Sequence, residues 1–84
     1  MLLDKEEIFE VVKANTLKAL PDLLADDVTI DKNLTDLGAN SVDRVEVVIY
    51  SLEELGLKVP TAELHGVRNL RALVDLLHRH ALSR

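Results

Sequence analysis

Three times along this chain a side-chain acceptor stands directly ahead of an apolar run with helical period, and that repetition dictates a helical fold. Asp4, with Glu7 three residues later, precedes the first run over residues 4–20; Asn40, with Asp43 at the third helical position, precedes a second over 41–55; Asn69 precedes the last. Ile8, Val12, Thr16 and Ala19 share one face of the first helix, with Phe9, Val11 and Leu20 on its shoulders. Leu70, Leu73, Val74, Leu77 and Ala81 give the last helix the clearest amphipathic stripe in the chain. Pro21 stops the first helix, because the residue before a proline is pushed out of the helical region. Gly56 stands where a left-handed cap would end the second. Arg79 and Arg84 suit the negative pole of the last helix.

Between these helices lie a long connection, residues 21–39, and a short helical piece opened by Pro60 and Thr61 that spans 61–65 and ends near Gly66. A loop of that length in a compact domain is often functional. Its apolar residues Leu23, Leu24, Val28, Ile30, Leu34 and Leu37 are candidates to anchor it over the core. Val45 to Tyr50 is apolar enough for a strand but sits inside a capped helical stretch. The expectation is an all-α fold: a small four-helix bundle of three main helices and one short one, with a long first loop, in a single domain over residues 1–84.

Size and charge then limit function. A chain of 84 residues buries about 60% or slightly more of its unfolded surface, enough for one modest core but not for a deep catalytic cavity. Phe9 and Tyr50 are the only Phe, Tyr or Trp rings, and the net charge is −5; both argue against nucleic-acid binding. The acids are concentrated: residues 1–64 carry net −8 and residues 65–84 net +3, so a basic partner would be drawn to the first part. With no cysteine there is no disulfide, thiolate metal site or thiol nucleophile. The acidic start and the lack of any apolar run of about 20 residues lead us to expect no signal peptide, no membrane span, a cytoplasmic location and a monomer.

The chemistry points to one segment, Asp36-Leu37-Gly38-Ala39-Asn40-Ser41-Val42-Asp43-Arg44-Val45-Glu46-Val47-Val48. Ser41 opens a helix after a glycine-containing loop, so its hydroxyl should be accessible, and a helix N-terminus suits a phosphodiester. The helix that follows is apolar over too wide an arc. Val42, Val45, Val47, Val48, Ile49, Leu52 and Leu55, with Arg44 and Ser51 among them, sweep about 220° of the wheel, where a core-facing helix needs about 100°. Val42, Val45 and Ile49, on the edge nearest Glu46 and Glu53, are the candidates to stay exposed, although ordinary core packing would cover them.

This segment, continued by Leu-Gly-Leu-Lys-Val-Pro, resembles the acyl carrier protein family, and the likeness extends over nearly the whole chain. The resemblance implies that Ser41 receives 4′-phosphopantetheine from coenzyme A through a magnesium-dependent phosphopantetheinyl transferase, with Asn40 and the loop at Gly38 presenting the arm. It implies a carrier, not an enzyme, whose arm holds acyl groups as thioesters. Val42, Asp43, Arg44, Val45, Glu46, Ile49 and Glu53 would form the surface met by partner enzymes. Fatty-acid carriers usually have Asp-Ser-Leu; Asn40-Ser41-Val42 and the positive Arg44 are instead similar to discrete polyketide carriers. Gly-Ala-Asn-Ser-Val-Asp-Arg-Val-Glu-Val-Val looks like the donor carriers of β-branching cassettes. By that likeness an acyltransferase would malonylate the arm, a ketosynthase-like decarboxylase would leave acetyl, and an HMG-CoA synthase-like enzyme would receive it. An aminoacyl or D-alanyl carrier, and an unmodified helical adaptor of the same shape, stay open as alternatives.

Other residues have plainer explanations. Asp31, Asn33 and Thr35 have the opening spacing of a calcium loop, but Asp36 stands where glycine is needed and Val42 where the bidentate glutamate is needed. His65, His78 and His80 read as surface residues. Ser41 could be a mere first-turn serine, but no Gly-x-Ser-x-Gly elbow makes it a nucleophile. Ser51 faces inward, either relieving crowding beside another helix or leaving space for the first atoms of an acyl chain. Tyr50 falls on the polar side of its helix.

Overall fold

In the computed structural model, which describes residues 3–64, 66–67 and 69–83, the chain forms four helices and, among the described residues, no strand. They are α1 (Lys5–Ala19), α2 (Ser41–Leu55), the one-turn α3 (Thr61–Leu64) and α4 (Leu70–Leu82), with a 3-10 turn at Ala25–Asp27 inside the long loop. None of the described helices is long and apolar enough to cross a membrane. The starts of α1, α2 and α4 are set by the acceptors read from the sequence: Asp4, Asn40 and Asn69 each accept from the third helical amide at 2.8 Å. The readings placed on His65 and Arg84 fall outside the described residues.

α1 packs against both α2 and α4 and so forms the centre of the molecule. Ile8, Val12 and Thr16 of α1 are buried with Val47, Ser51 and Leu55 of α2 and the Leu70, Leu73, Val74, Leu77 and Ala81 stripe of α4. Asn15 is also buried, which the apolar pattern did not show. Its amide nitrogen donates to the Val11 carbonyl (3.0 Å) and to Ser51 Oγ (3.3 Å), linking α1 to α2 through the core. Thr16 Oγ1 donates to the Val12 carbonyl at 2.8 Å. Buried polar groups are costly unless paired, and among the described residues no buried side-chain N or O lacks a partner.

Gly56 ends α2 with φ 66° and ψ 31°, a left-handed conformation that glycine adopts without a Cβ penalty. The Leu57 amide then donates back to the Leu52 carbonyl at 3.0 Å, and the Leu57 side chain turns into the core.

The long loop is held at both ends of its course. Val28, Leu34 and Ala39 are buried, and Leu23, Ile30 and Leu37 half-buried. Leu24 is the exception: it is 71% exposed and anchors nothing. It immediately precedes the 3-10 turn, whose three residues per turn place positions four apart on different faces, so burying Val28 turns Leu24 outward. Further on, the loop supplies the start of α4. The carbonyls of Lys32 and Ile30 accept from the amides of Leu70 and Arg71, both at 2.8 Å. Asn69 covers the next two, its side chain taking the Ala72 amide and its carbonyl the Leu73 amide at 3.1 Å. Three of the amides left open at this helix start, those of Leu70, Arg71 and Ala72, are therefore satisfied, and the Leu73 amide makes the first intrahelical bond.

Asp31 reinforces the junction by accepting from Arg71 at 2.8 and 3.3 Å. That hydrogen bond and the negative charge of Asp31, assisted by Asp75, hold Arg71 above its ordinary pKa. Two further pairs tie the periphery: Lys5 to Asp75 at 2.9 Å, and His80 of α4 to Glu63 of α3 at 3.3 Å. His78 and His80 are both half-buried, and His80 faces Glu63 of α3.

Two outcomes test this packing. Ser51→Val should destabilise the protein by about 1–3 kcal/mol, because it removes the acceptor of a buried amide; the midpoint of urea unfolding would fall with no change in slope. Asn69→Ala should cost about 0.5–2 kcal/mol through loss of the α4 cap, read as a lower Tm in calorimetry.

Candidate functional site

Ser41 is the first residue of α2, and its immediate neighbours free its hydroxyl from structural duty. Gly38, at φ 99°, reverses the chain in a conformation that favours glycine, letting Ala39 drop into the core and placing Asn40 at the helix cap. Asn40 Oδ1 accepts from the Asp43 amide at 2.8 Å, while Asp43 Oδ2 accepts from the Asn40 amide at 3.2 Å. This reciprocal pair caps the helix without Ser41. The serine is exposed, so the plain first-turn explanation leaves its hydroxyl without a task.

Arg44, one turn on, donates from Nη2 to Ser41 Oγ at 3.2 Å and from Nη1 to Thr35 Oγ1 at 3.4 Å. A guanidinium has no acceptor lone pair and stays protonated, so this partner cannot draw a proton from the serine as a general base does. The arrangement presents a hydroxyl; it does not activate one. It is also electropositive, combining the N-terminal end of α2 with a cation that has no ion-pair partner among the described residues.

A groove of about 420 Å³ begins at this hydroxyl. Ser41, Arg44, Val45, Val48 and Ile49 of α2 form one wall, and Asn33, Leu34 and Thr35 of the loop close one end. Thr61 and Leu64 of α3, with Val67 and the start of α4, complete it. Ser51 does not line this groove. It faces Asn15 of α1, so the thought that it leaves space for an acyl chain is wrong, and its small size serves the helix contact instead.

The structure divides the wide apolar arc of α2. Val47, Ser51 and Leu55 face the core, whereas Val42, Val45 and Ile49 are 64, 55 and 46% exposed. Val45 and Ile49 double as groove wall, while Val42 stands clear of it. On the other flank, Glu46, Tyr50, Glu53 and Glu54 border a second depression of about 390 Å³ against Asn15, Lys18 and Ala19 of α1. The exposed side of α2 is thus a ridge with an apolar flank and an acidic one. Asp43 and Glu46 are half-buried and Glu53 exposed.

Sequence reasoning missed the groove's far wall. Thr61, Leu64 and Val67 carry no signal of their own, since only the chain's return past α2 brings them opposite Val45. Asn33 and Thr35, whose spacing lacks the glycine and glutamate of a calcium loop, stand at the end of the groove. Asn33 Oδ1 accepts from the Asp36 amide at 2.6 Å, Thr35 meets Arg44 and Asp31 meets Arg71, so the calcium-like spacing serves three different contacts.

Comparison with known proteins agrees with this geometry. The family model described as a phosphopantetheine attachment site matches residues 14–77. A polyketide biosynthesis acyl-carrier protein of Bacillus subtilis, AcpK, is 42% identical over 76 residues, covering 90% of this chain and 93% of its own. An acyl carrier protein of Acidothermus cellulolyticus is 30% identical over 84 residues, covering 99% of each. Among solved structures, an acetyl-donor carrier protein in complex with the HMG synthase of the curacin biosynthetic pathway matches with a TM-score of 0.84 and 31% identity. That match covers 92% of this chain and 99% of the solved one. The chain therefore belongs to the phosphopantetheine-bearing acyl carrier proteins, which carry substrates and do not catalyse their conversion.

Proposed function

We propose that Ser41 carries the 4′-phosphopantetheine arm and that the protein is a polyketide carrier, working in the cytoplasm as the acetyl donor of a β-branching reaction. The observation that carries the first part is the exposed Ser41 hydroxyl, released from capping by the Asn40–Asp43 pair at the head of α2. A magnesium-dependent phosphopantetheinyl transferase would join Ser41 Oγ to the phosphorus of coenzyme A nearest its pantetheine end, breaking the bond from that phosphorus to the bridging pyrophosphate oxygen, with 3′,5′-ADP leaving and the serine proton passing to the transferase. Gly38 and Asn40 fix the direction in which the hydroxyl points. The arm's thiol then supplies the thioester chemistry that this cysteine-free chain lacks.

The donor role rests on resemblance. The Bacillus subtilis relative is a polyketide biosynthesis carrier, and the solved neighbour is an acetyl donor bound to an HMG synthase. On this reading an acyltransferase loads malonyl, a ketosynthase-like enzyme decarboxylates it, and an HMG-CoA synthase-like enzyme takes the acetyl group. The ridge of α2 meets each in turn: Val42, Val45 and Ile49 supply apolar contact, Arg44 a positive point, and Asp43, Glu46 and Glu53 negative ones that attract a basic partner. The groove beside Val45 gives a short acyl group partial cover from water.

Incubation with coenzyme A, magnesium and a broad-specificity transferase should add one phosphopantetheine to the intact mass, and Ser41→Ala should abolish the gain. A folded, unmodified wild-type protein that gained nothing would refute the assignment and leave an adaptor of carrier shape. Val45→Glu should leave stability within about 0.5 kcal/mol, because the side chain is half in solvent. It should lower kcat/KM for acetyl transfer to a β-branching HMG synthase about tenfold, the scale of one interface anchor. Unchanged transfer would remove Val45 from the docking surface.

A further inference from the structure

The contact between Arg44 and Ser41 has no role in holding the fold together. Both side chains are exposed, the helix start is already capped by Asn40 and Asp43, and a long flexible side chain held at the surface loses entropy for little return. Arg44 nevertheless lies back along the first turn of α2 with both terminal nitrogens engaged, one on Ser41 Oγ and one on Thr35 Oγ1. It could have paired with an acid on this acidic surface, but no carboxylate lies within ion-pair distance among the described residues. A phosphodiester on Ser41 would bring its two free oxygens two bonds beyond the atom Arg44 already touches. Guanidinium matches such oxygens in a two-pronged, charge-assisted geometry.

The local charges favour the same pairing. Position 40 holds a neutral asparagine, and the carboxylate of Asp43 in the same turn is turned back onto the Asn40 amide. Arg44 also has a side. It lines the apolar groove together with Ser41, Thr35 and Val45.

We propose that Arg44 is the phosphodiester-binding residue of this carrier, and that by gripping the phosphate it turns the first part of the arm over the groove between Thr35 and Val45. The inference rests on attachment at Ser41. It adds a positioning residue that sets where the arm begins its reach, in place of a tether free to rotate about the serine.

The test uses isotope-labelled full-length protein before and after loading by coenzyme A and a transferase, with loading verified by intact mass. In wild-type holo protein the Arg44 Nε–H resonance should shift from its apo position and exchange with water several-fold more slowly. Nuclear Overhauser contacts should connect the arm's geminal methyl groups with Val45 and Thr35. In fully loaded Arg44→Gln protein those contacts should vanish and the phosphorus resonance should move, while Arg44→Lys keeps part of the effect and Arg79→Gln none. Since the apo-to-holo comparison in wild type needs no variant, a loading defect in Arg44→Gln would not obscure the answer. Loaded protein with an unmoved Arg44 resonance, or with arm contacts unaffected by Arg44→Gln, would overturn the inference while leaving attachment intact. No mass gain at all would overturn both.

Discussion

The groove beside Ser41 exists because the long first loop is bonded to the start of α4. That helix begins with amides that nothing inside it can satisfy, and a buried amide without an acceptor costs about 1–3 kcal/mol. The loop carbonyls of Ile30 and Lys32 supply two acceptors, and Asp31 between them pairs with Arg71. Once residues 30–32 are fixed there, Asn33, Leu34 and Thr35 must run across the mouth of the space between α2 and α4. The helix α3, one turn long and with no buried residue, could not wall that space alone. Surface pairs such as Asp31–Arg71 are individually worth about 0–1 kcal/mol; here the strength lies in the two backbone bonds, which are insensitive to the side chains around them. The same junction thus defines both the core's upper edge and the site.

Placing the site at the surface follows from the size of the core. Three helices with an aliphatic interior leave no room for a buried reaction centre, and α1 occupies the middle. What remains available is the outside of α2, where the chain keeps valine and isoleucine exposed at some cost in solubility. Glu46, Glu53 and Glu54 on the other flank offset that cost and provide a field that can draw in a basic surface. Arg44 interrupts the field at one point only, next to the hydroxyl.

Much of this was legible in the sequence because helix starts are written locally. Asp4, Asn40 and Asn69 sit one residue before the helices they cap, and Gly56 closes α2 as its position suggested. The excess width of the apolar arc on α2 also foretold its exposed edge. What could not be read were interactions between distant segments: the Asn15–Ser51 bond across the core, the loop carbonyls that complete α4, the pairing of Glu63 with His80, and the far wall of the groove. Each joins segments whose approach is fixed only by the packing of whole helices. Leu24 failed for a local reason instead, since apolar character alone made it a candidate anchor and the 3-10 turn that follows it leaves it outside the core.

A carrier must bind several enzymes in succession and hold none of them, and the shape of α2 fits that demand. A ridge offers a partner little area compared with a pocket, and exposed charges contribute more to the rate of encounter than to the lifetime of the complex. Arg44 sits where these demands meet. If its guanidinium is paired with the phosphate, the positive point it offers partners is weakened but still present in the loaded protein, and the face seen by a partner becomes more acidic than in the unmodified one. A transferase that must recognise the unmodified chain and an acyl enzyme that must recognise the loaded one would then meet different charge patterns on the same three turns of helix. One residue would thereby couple the chemical state of Ser41 to the surface by which each partner selects the carrier.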